Sequence, residues 1–238
     1  MTSSGVPKME FKEFCAKVRK THDDYVSRVT RWIFIYPLAF FLTRYTKITP
    51  NQITILSILP GILSLIFLTL GNQYTNIIGA FMVLLYAILD GLDGIVSRAT
   101  GQYSKLGQWL DGVIGYVLTP LMFISTAVGV GSYQALLVGS IASLCFPIQF
   151  TLIHYFKSEI VESKERISIS SSKKFDFLKY LYGIAPFYYM LILGAFLNKT
   201  LYVLYFWAVF GNLFWMIMLI FQYRILTKGK VLDKREGA

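Results

Sequence analysis

The sequence predicts an all-α integral membrane protein with six transmembrane helices preceded by an N-terminal interfacial amphipathic helix. Three observations predict it: composition, the spacing of apolar runs, and the placement of basic residues. Of 238 residues, 55% are hydrophobic, 16% aromatic and only 15% charged, a balance that excludes an ordinary water-soluble domain. Runs long enough to cross a bilayer, which takes about 20 residues per helix, lie at about 50–71, 73–97, 104–128, 133–156, 178–198 and 200–223. With both termini cytoplasmic, 22 of the 23 lysines and arginines fall on the cytoplasmic side and only Lys199 falls opposite, as the positive-inside rule requires.

Taken in chain order, the first segment mixes charges of both signs (Lys8, Lys12, Lys17, Arg19, Arg28, Arg31) and runs into Trp32, Ile33, Phe34, Leu38 and Phe41. This pattern reads as a helix lying on the membrane surface. Pro37 and the short interval between Arg31 and Arg44 argue against a seventh crossing, and residues 1–30 lack the apolar core of a cleavable signal. The expected organisation is therefore an N-terminal region at 1–48, a six-helix domain at 49–226 and a cytoplasmic tail at 227–238. Cys15 and Cys145 form no disulfide or metal pattern. The net charge of +10 is spread over loop ends, which points to the bilayer as partner and to no nucleic acid. The 157–179 loop, with Lys157, Lys164, Arg166, Lys173, Lys174 and Lys179, reads as charge beside anionic head groups; its alternative role is recognition of a phosphorylated acceptor.

Inside the six spans the only carboxylates are Asp90, Asp93 and Asp111, near the cytoplasmic ends of spans two and three. A buried Asp costs about 2.5–3.5 kcal/mol at a helix centre, so three together call for a compensating cation. At about 100° per residue, Asp90, Asp93, Gly94, Ser97 and Arg98 share one helical face, and Ser104, Gly107, Asp111 and Gly115 form a stripe on the next helix. Oxygen-only ligation suits Mg²⁺, with Mn²⁺ as substitute, and does not suit Zn²⁺ or copper. Gly91, Gly94, Gly107, Gly112 and Gly115 either let helices approach or admit a flat ligand beside the acids. Intramembrane acids also mark transporters, but these lie near one face, spans four to six carry none, and no inverted repeat is evident.

The stretch from Asp90 through Asp93, Gly94, Ser97 and Arg98 to Gly107 and Asp111 resembles the signature of the CDP-alcohol phosphotransferase family, D-x-x-D-G-x-x-A-R, eight residues, G-x-x-x-D-x-x-x-D. Thr49-Pro50-Asn51-Gln52-Ile53-Thr54 also resembles that family's T-P-N-x-x-T opening of span one. The resemblance implies an enzyme of phospholipid synthesis that transfers a phosphoalcohol group, here expected to be phosphatidyl, from a CDP-linked lipid or CDP-alcohol to an alcohol acceptor with release of CMP. It implies Asp90, Asp93 and Asp111 as metal ligands, and Arg98 as partner of the donor phosphate. Gly94 and Gly107 would give the nucleotide room, Asn51 and Thr54 would line its side, and a homodimer is a common family state. It also implies a bacterial or archaeal inner membrane with the active site cytoplasmic.

Two positions depart from the signature. Ser97 replaces Ala, a small-for-small change. Gly115 replaces the fourth Asp, which in the family is both a metal ligand and the proposed base. Three readings follow: another group such as His154 supplies the base, the acceptor brings its own, or the chain is a degenerate member that binds a CDP compound and metal without turnover. The three remaining acids and Arg98 favour retained transfer.

Overall fold

A computed structural model describes residues 9–19, 25–156, 158 and 183–236, all helix and short connections among them. Helices α1 (Phe11–Val18) and α2 (Tyr25–Thr30) lead through a π-helical turn (Arg31–Ile35) into α3 (Tyr36–Tyr45). The long helices follow: α4 (Pro50–Leu70), α5 (Gln73–Thr100) and α6 (Lys105–Val130), then the consecutive α7 (Tyr133–Ser143) and α8 (Cys145–Tyr155). After the interval come α9 (Ile184–Phe196) and α10 (Thr200–Glu236). Among the described residues five spans are long and apolar enough to cross a membrane: Pro50–Leu70, Gln73–Thr100, Lys105–Val130, Tyr133–Tyr155 and Thr200–Arg224. The protein is accordingly a multi-pass membrane protein. α9 is a shorter apolar helix of 13 residues that starts after the extended Gly183; the first part of the predicted 178–198 run, like most of the 157–179 loop, lies outside the described residues. α10 continues without a break past the predicted tail boundary.

The local sequence sets these boundaries. α4 starts at a capping box in which Thr49 and Gln52 satisfy each other's backbone N–H groups, with Pro50 in the first turn. Asn72, Ser104 and Ser132 cap α5, α6 and α7 through their side-chain oxygens. Gly71 ends α4 at φ +76°, and any Cβ there would also strike the backbone of Gly129. Glycine is thus required twice over where α4 and α6 meet at the end remote from the acids.

α4 packs most closely on α5 and then on α6, while α9 lies on α5 and α10 covers α7 and α8. The main core lies between these helices and is strongly aromatic: Phe123 stacks on Phe187 with ring centroids 4.0 Å apart, and Trp207 packs edge-on to both. A second cluster joins the N-terminal helices to the acid-bearing end of α5. In it Phe14, Cys15 and Val18 of α1 are buried with Ile95, Val96 and Ala99. The buried apolar face of α1 is therefore turned onto protein, and the exposed apolar side chains of this region include Trp32, Ile33, Phe34 and Phe41 of the π turn and α3, with Tyr25 and Val29 of α2 and Phe11 of α1. Two hydrogen bonds fix this docking: Lys17 Nζ donates to the Ala99 carbonyl at 3.0 Å, and Arg98 Nε donates to the Val18 carbonyl at 3.1 Å.

Candidate active site

The start of α4, the end of α5 and the start of α6 meet at one end of the bundle. Ser104 joins them: its hydroxyl donates to Asn51 Oδ1 at 2.9 Å while accepting from the Gly107 N–H at 2.9 Å. Asn51 Oδ1 lies directly against Gly107, where any side chain would collide with it. Gly107 thus admits Asn51, and the pair forms one preassembled element. Thr54, one turn further along α4, is buried and donates its hydroxyl to the Asp93 carboxylate. The recurrence of T-P-N-x-x-T therefore has a local reason. Thr49 caps the helix, Pro50 starts it, and Asn51 and Thr54 reach the two motif helices.

Arg98 extends this element. Its Nε is held by Val18, and Nη1 and Nη2 lie over Gly94, 3.6 and 3.9 Å from where a Cβ would stand. Gly94 leaves room for the guanidinium, which lies within electrostatic reach of Asp93. Ser97 uses the hydroxyl that the signature's Ala lacks to donate to the Gln102 carbonyl at 2.8 Å, bracing the α5–α6 turn that starts at Gly101.

Asp90 and Asp111 occupy different surroundings. Both line a cavity of about 290 Å³, together with Gly112, Gly115, Tyr86 and His154. Gly112 has open space where its Cβ would be, whereas at Gly91 a Cβ would stand 2.6 Å from Ile35 Cδ1, so this glycine serves packing against the π turn. Arg31 and Thr30 border the cavity from the N-terminal region, with Thr30 Oγ1 bonded to Tyr189 Oη at 2.8 Å.

The three acids are thus split. Asp90 and Asp111 share the cavity, and Asp93 is engaged by Thr54. Among the described residues no three His, Cys, Asp or Glu side chains gather closely enough to hold an ion alone. The donor chemistry still fits magnesium, which is commonly bound by one or two carboxylates plus substrate phosphates and water. Sequence reasoning missed Tyr86, Tyr116 and Tyr188 in the cavity wall. Tyr86 precedes Asp90 by four positions on the same helical face, and that spacing was the available signal. Nothing in the pattern marked Tyr188. Nor did the sequence offer any sign that the backbone of Val18 orients Arg98.

A bundle of apolar helices carries a split carboxylate set, a guanidinium and an aromatic-walled cavity at one end. The chain belongs to the CDP-alcohol phosphatidyltransferase family, whose profile matches residues 47–222. It is 40% identical over 68 residues to the bifunctional IPC transferase and DIPP synthase of Aquifex aeolicus, covering 29% of this chain and 15% of that protein. It is 38% identical over 82 residues to archaetidylinositol phosphate synthase of Pyrococcus horikoshii, covering 34% of this chain and 42% of the relative. It is 34% identical over 106 residues to CDP-diacylglycerol–serine O-phosphatidyltransferase of Mycobacterium leprae, covering 43% and 33% respectively. The matched stretches are thus less than half of each of these curated relatives.

Proposed function

We propose that the protein transfers a phosphatidyl-type group from a CDP-linked lipid to an alcohol, releasing CMP. The observation that carries this reading is the meeting of the motif residues at one end of α4, α5 and α6 beside a cavity that Asp90 and Asp111 line. The chain would cross the bilayer six times, with α9 as the shorter fifth crossing. The π turn and α3 would rest in the interface, and both termini and the site would be cytoplasmic. The exposed aromatic residues of that turn and the basic residues at loop ends support this placement. A homodimer accords with the exposed apolar helix faces.

In this reading Arg98 would hold the donor phosphates with its paired Nη atoms, and Asn51, Thr54, Gly94 and Gly107 would border the nucleotide. Asp90 and Asp111, joined by Asp93 on donor binding, would hold Mg²⁺ or Mn²⁺. That ion would neutralise charge on the pyrophosphate. The acceptor oxygen would form its bond to the lipid-side phosphorus as the bond from that phosphorus to CMP breaks. His154, in the same cavity, would take the acceptor proton in place of the missing fourth carboxylate. The relatives' names suggest a product of the archaetidylinositol phosphate kind, or serine as acceptor. The alternative is binding of a CDP compound and metal without turnover, favoured by Gly115; a transporter has no supporting observation in this site.

The test is CMP release by the purified chain in nanodiscs, with CDP-diacylglycerol and small CDP-alcohols as donors against an acceptor panel, with and without Mg²⁺. Metal-dependent release that Asp90→Asn lowers by about 10²-fold or more is expected. Metal-dependent CDP binding without release would establish the non-catalytic alternative, and neither binding nor release would refute both.

A further inference from the structure

Of the five spans among the described residues, only Tyr133–Tyr155 is made of two helices: α7 ends at Ser143, α8 begins at Cys145, and Leu144 makes the turn between them. Pro147 removes a backbone donor just beyond this turn, yet Pro60 and Pro120 lie inside α4 and α6 without interrupting either helix. The proline alone does not account for the break. A side chain from another span acts at the same point. Asn212 of α10 donates from Nδ2 to the Ile141 carbonyl at 3.1 Å and to the Ala208 carbonyl of its own helix at 2.9 Å, and its Oδ1 accepts from Trp215 Nε1 at 2.8 Å. The amide nitrogen and oxygen are thereby both engaged, in a stretch of α10 that is otherwise apolar and aromatic. Beside it, Gly211 lets the first residue of α8 come close, since a Cβ there would stand 2.8 Å from Cys145 Cβ. Further along α10, Gln222 Nε2 donates to the Leu152 carbonyl at 3.4 Å. The last span therefore holds the fourth on both sides of its break.

We propose that Asn212 is a positioning residue for the acceptor cavity: its amide holds the Ile141 carbonyl, fixes the break at Leu144, and so sets the direction in which α8 presents Phe150 and His154. Both residues line the cavity that Asp90 and Asp111 share, and Tyr116 of α6 meets the Phe150 ring edge-on with centroids 5.4 Å apart. The effect on turnover rests on the transferase reading, while the placement of α8 stands apart from it. α8 has 11 residues and is about 16 Å long, so a turn of about 10° at Leu144 moves its far end by about 3 Å. Misplacement by about 1 Å can cost a reaction about 10²-fold. The donor side stays untouched, because Arg98, Asn51 and Thr54 lie on α5 and α4 and are held by Val18, Ser104 and Asp93.

The experiment compares the full chain in nanodiscs as wild type, Asn212→Leu, Asn212→Gln and Leu213→Ala, the last an exposed neighbour on α10 that serves as control. Nitroxide labels on Ile55→Cys of α4 and Tyr155→Cys of α8, both exposed sites in a chain whose own cysteines are buried, read the place of α8 by pulsed electron resonance. CMP release by the unlabelled variants gives kcat with separate KM values for donor and acceptor. Asn212→Leu is expected to shift or broaden the label distance by about 3 Å, and to lower acceptor kcat/KM about tenfold with donor KM within about twofold. Asn212→Gln, which keeps the amide, is expected to recover most of both, and Leu213→Ala to change neither. A merely structural role would lower folded yield and Tm while the folded protein kept the wild-type distance and acceptor KM. That result, a shifted distance with unchanged acceptor kcat/KM, or Leu213→Ala matching Asn212→Leu would overturn the proposal. Should Asn212→Leu fail to fold, Trp215→Phe removes only the bond that orients the amide, and the label distance decides: moved in support, unmoved in refutation. Should the wild type release no CMP, the transferase reading fails by itself, and the same distance decides the placement of α8.

Discussion

The two halves of the candidate site differ in how much open space they border. Around Arg98 and Asn51 nearly every group has a fixed protein partner: Val18 for Arg98 Nε, Ser104 for Asn51, Thr54 for Asp93. Around Asp111, by contrast, Gly112 faces open space and the carboxylate borders a cavity. The contrast teaches that one half of the motif is built as a frame of hydrogen bonds, while the half that carries the signature's Asp90 and Asp111 borders open space. In the proposed transfer a preassembled frame would lose little freedom on binding the nucleotide part of the donor, and the open cavity is where the acceptor would sit.

The largest expected effect that separates the halves comes from Arg98. Arg98→Ala should raise donor KM or lower kcat/KM by about 10²-fold, since a charge-assisted bond contributes about 1.5–3 kcal/mol. Arg98→Lys should recover only part of this, because an ammonium cannot both reach the Val18 carbonyl and present paired donors over Gly94. Acceptor KM should stay within about twofold in both. Full recovery by lysine would mean that charge, and not the fork, is what the donor reads.

A glycine pair makes the next comparison, with expected effects of about tenfold. Gly107→Ala drives a methyl into Asn51 Oδ1 and should raise donor KM about tenfold by breaking the Ser104–Asn51 element. Gly112→Leu projects into the cavity and should raise acceptor KM about tenfold with donor KM unchanged. Steady-state kinetics with each substrate varied in turn reads both. If the two variants affected the same substrate, the division into frame and cavity would be wrong.

Much of this was legible in the sequence, for reasons tied to particular residues. Asp90, Asp93 and Asp111 stood out because buried acids are costly in apolar helices, and helical period placed them at one end. The TPN segment was legible as a motif, but its physical sense needed the fold: Thr54 reaches Asp93 across 39 positions of chain, a distance that no periodicity encodes. The same holds for Val18 and Arg98, 80 residues apart, and for Tyr86 beside Gly115. Equal spacing also concealed unequal roles. Gly91 and Gly112 looked alike in sequence, yet one receives Ile35 and the other faces open space. Even the amphipathic α1 was ambiguous, since an apolar stripe fits a lipid surface and a protein surface equally well.

The smallest expected effect concerns that docking of α1, on which the orientation of Arg98 depends. Lys17→Met removes the bond to the Ala99 carbonyl, a loss of about 1 kcal/mol that loosens α1 without touching the cavity. Cys15 reports the change. Only 4% of its surface is exposed, and burial raises its thiol pKa above the ordinary value, so at neutral pH it holds less thiolate than a free cysteine and alkylates slowly. Each opening of α1 returns the thiol to its ordinary range, and the reactive thiolate fraction rises. Site-resolved maleimide labelling at pH 7.5 should therefore run about fivefold faster at Cys15 in Lys17→Met, with donor KM raised less than threefold and acceptor KM unchanged. If labelling accelerated while donor KM stayed at the wild-type value, Arg98 would be held by α5 alone, and the frame would end at the membrane helices rather than include α1.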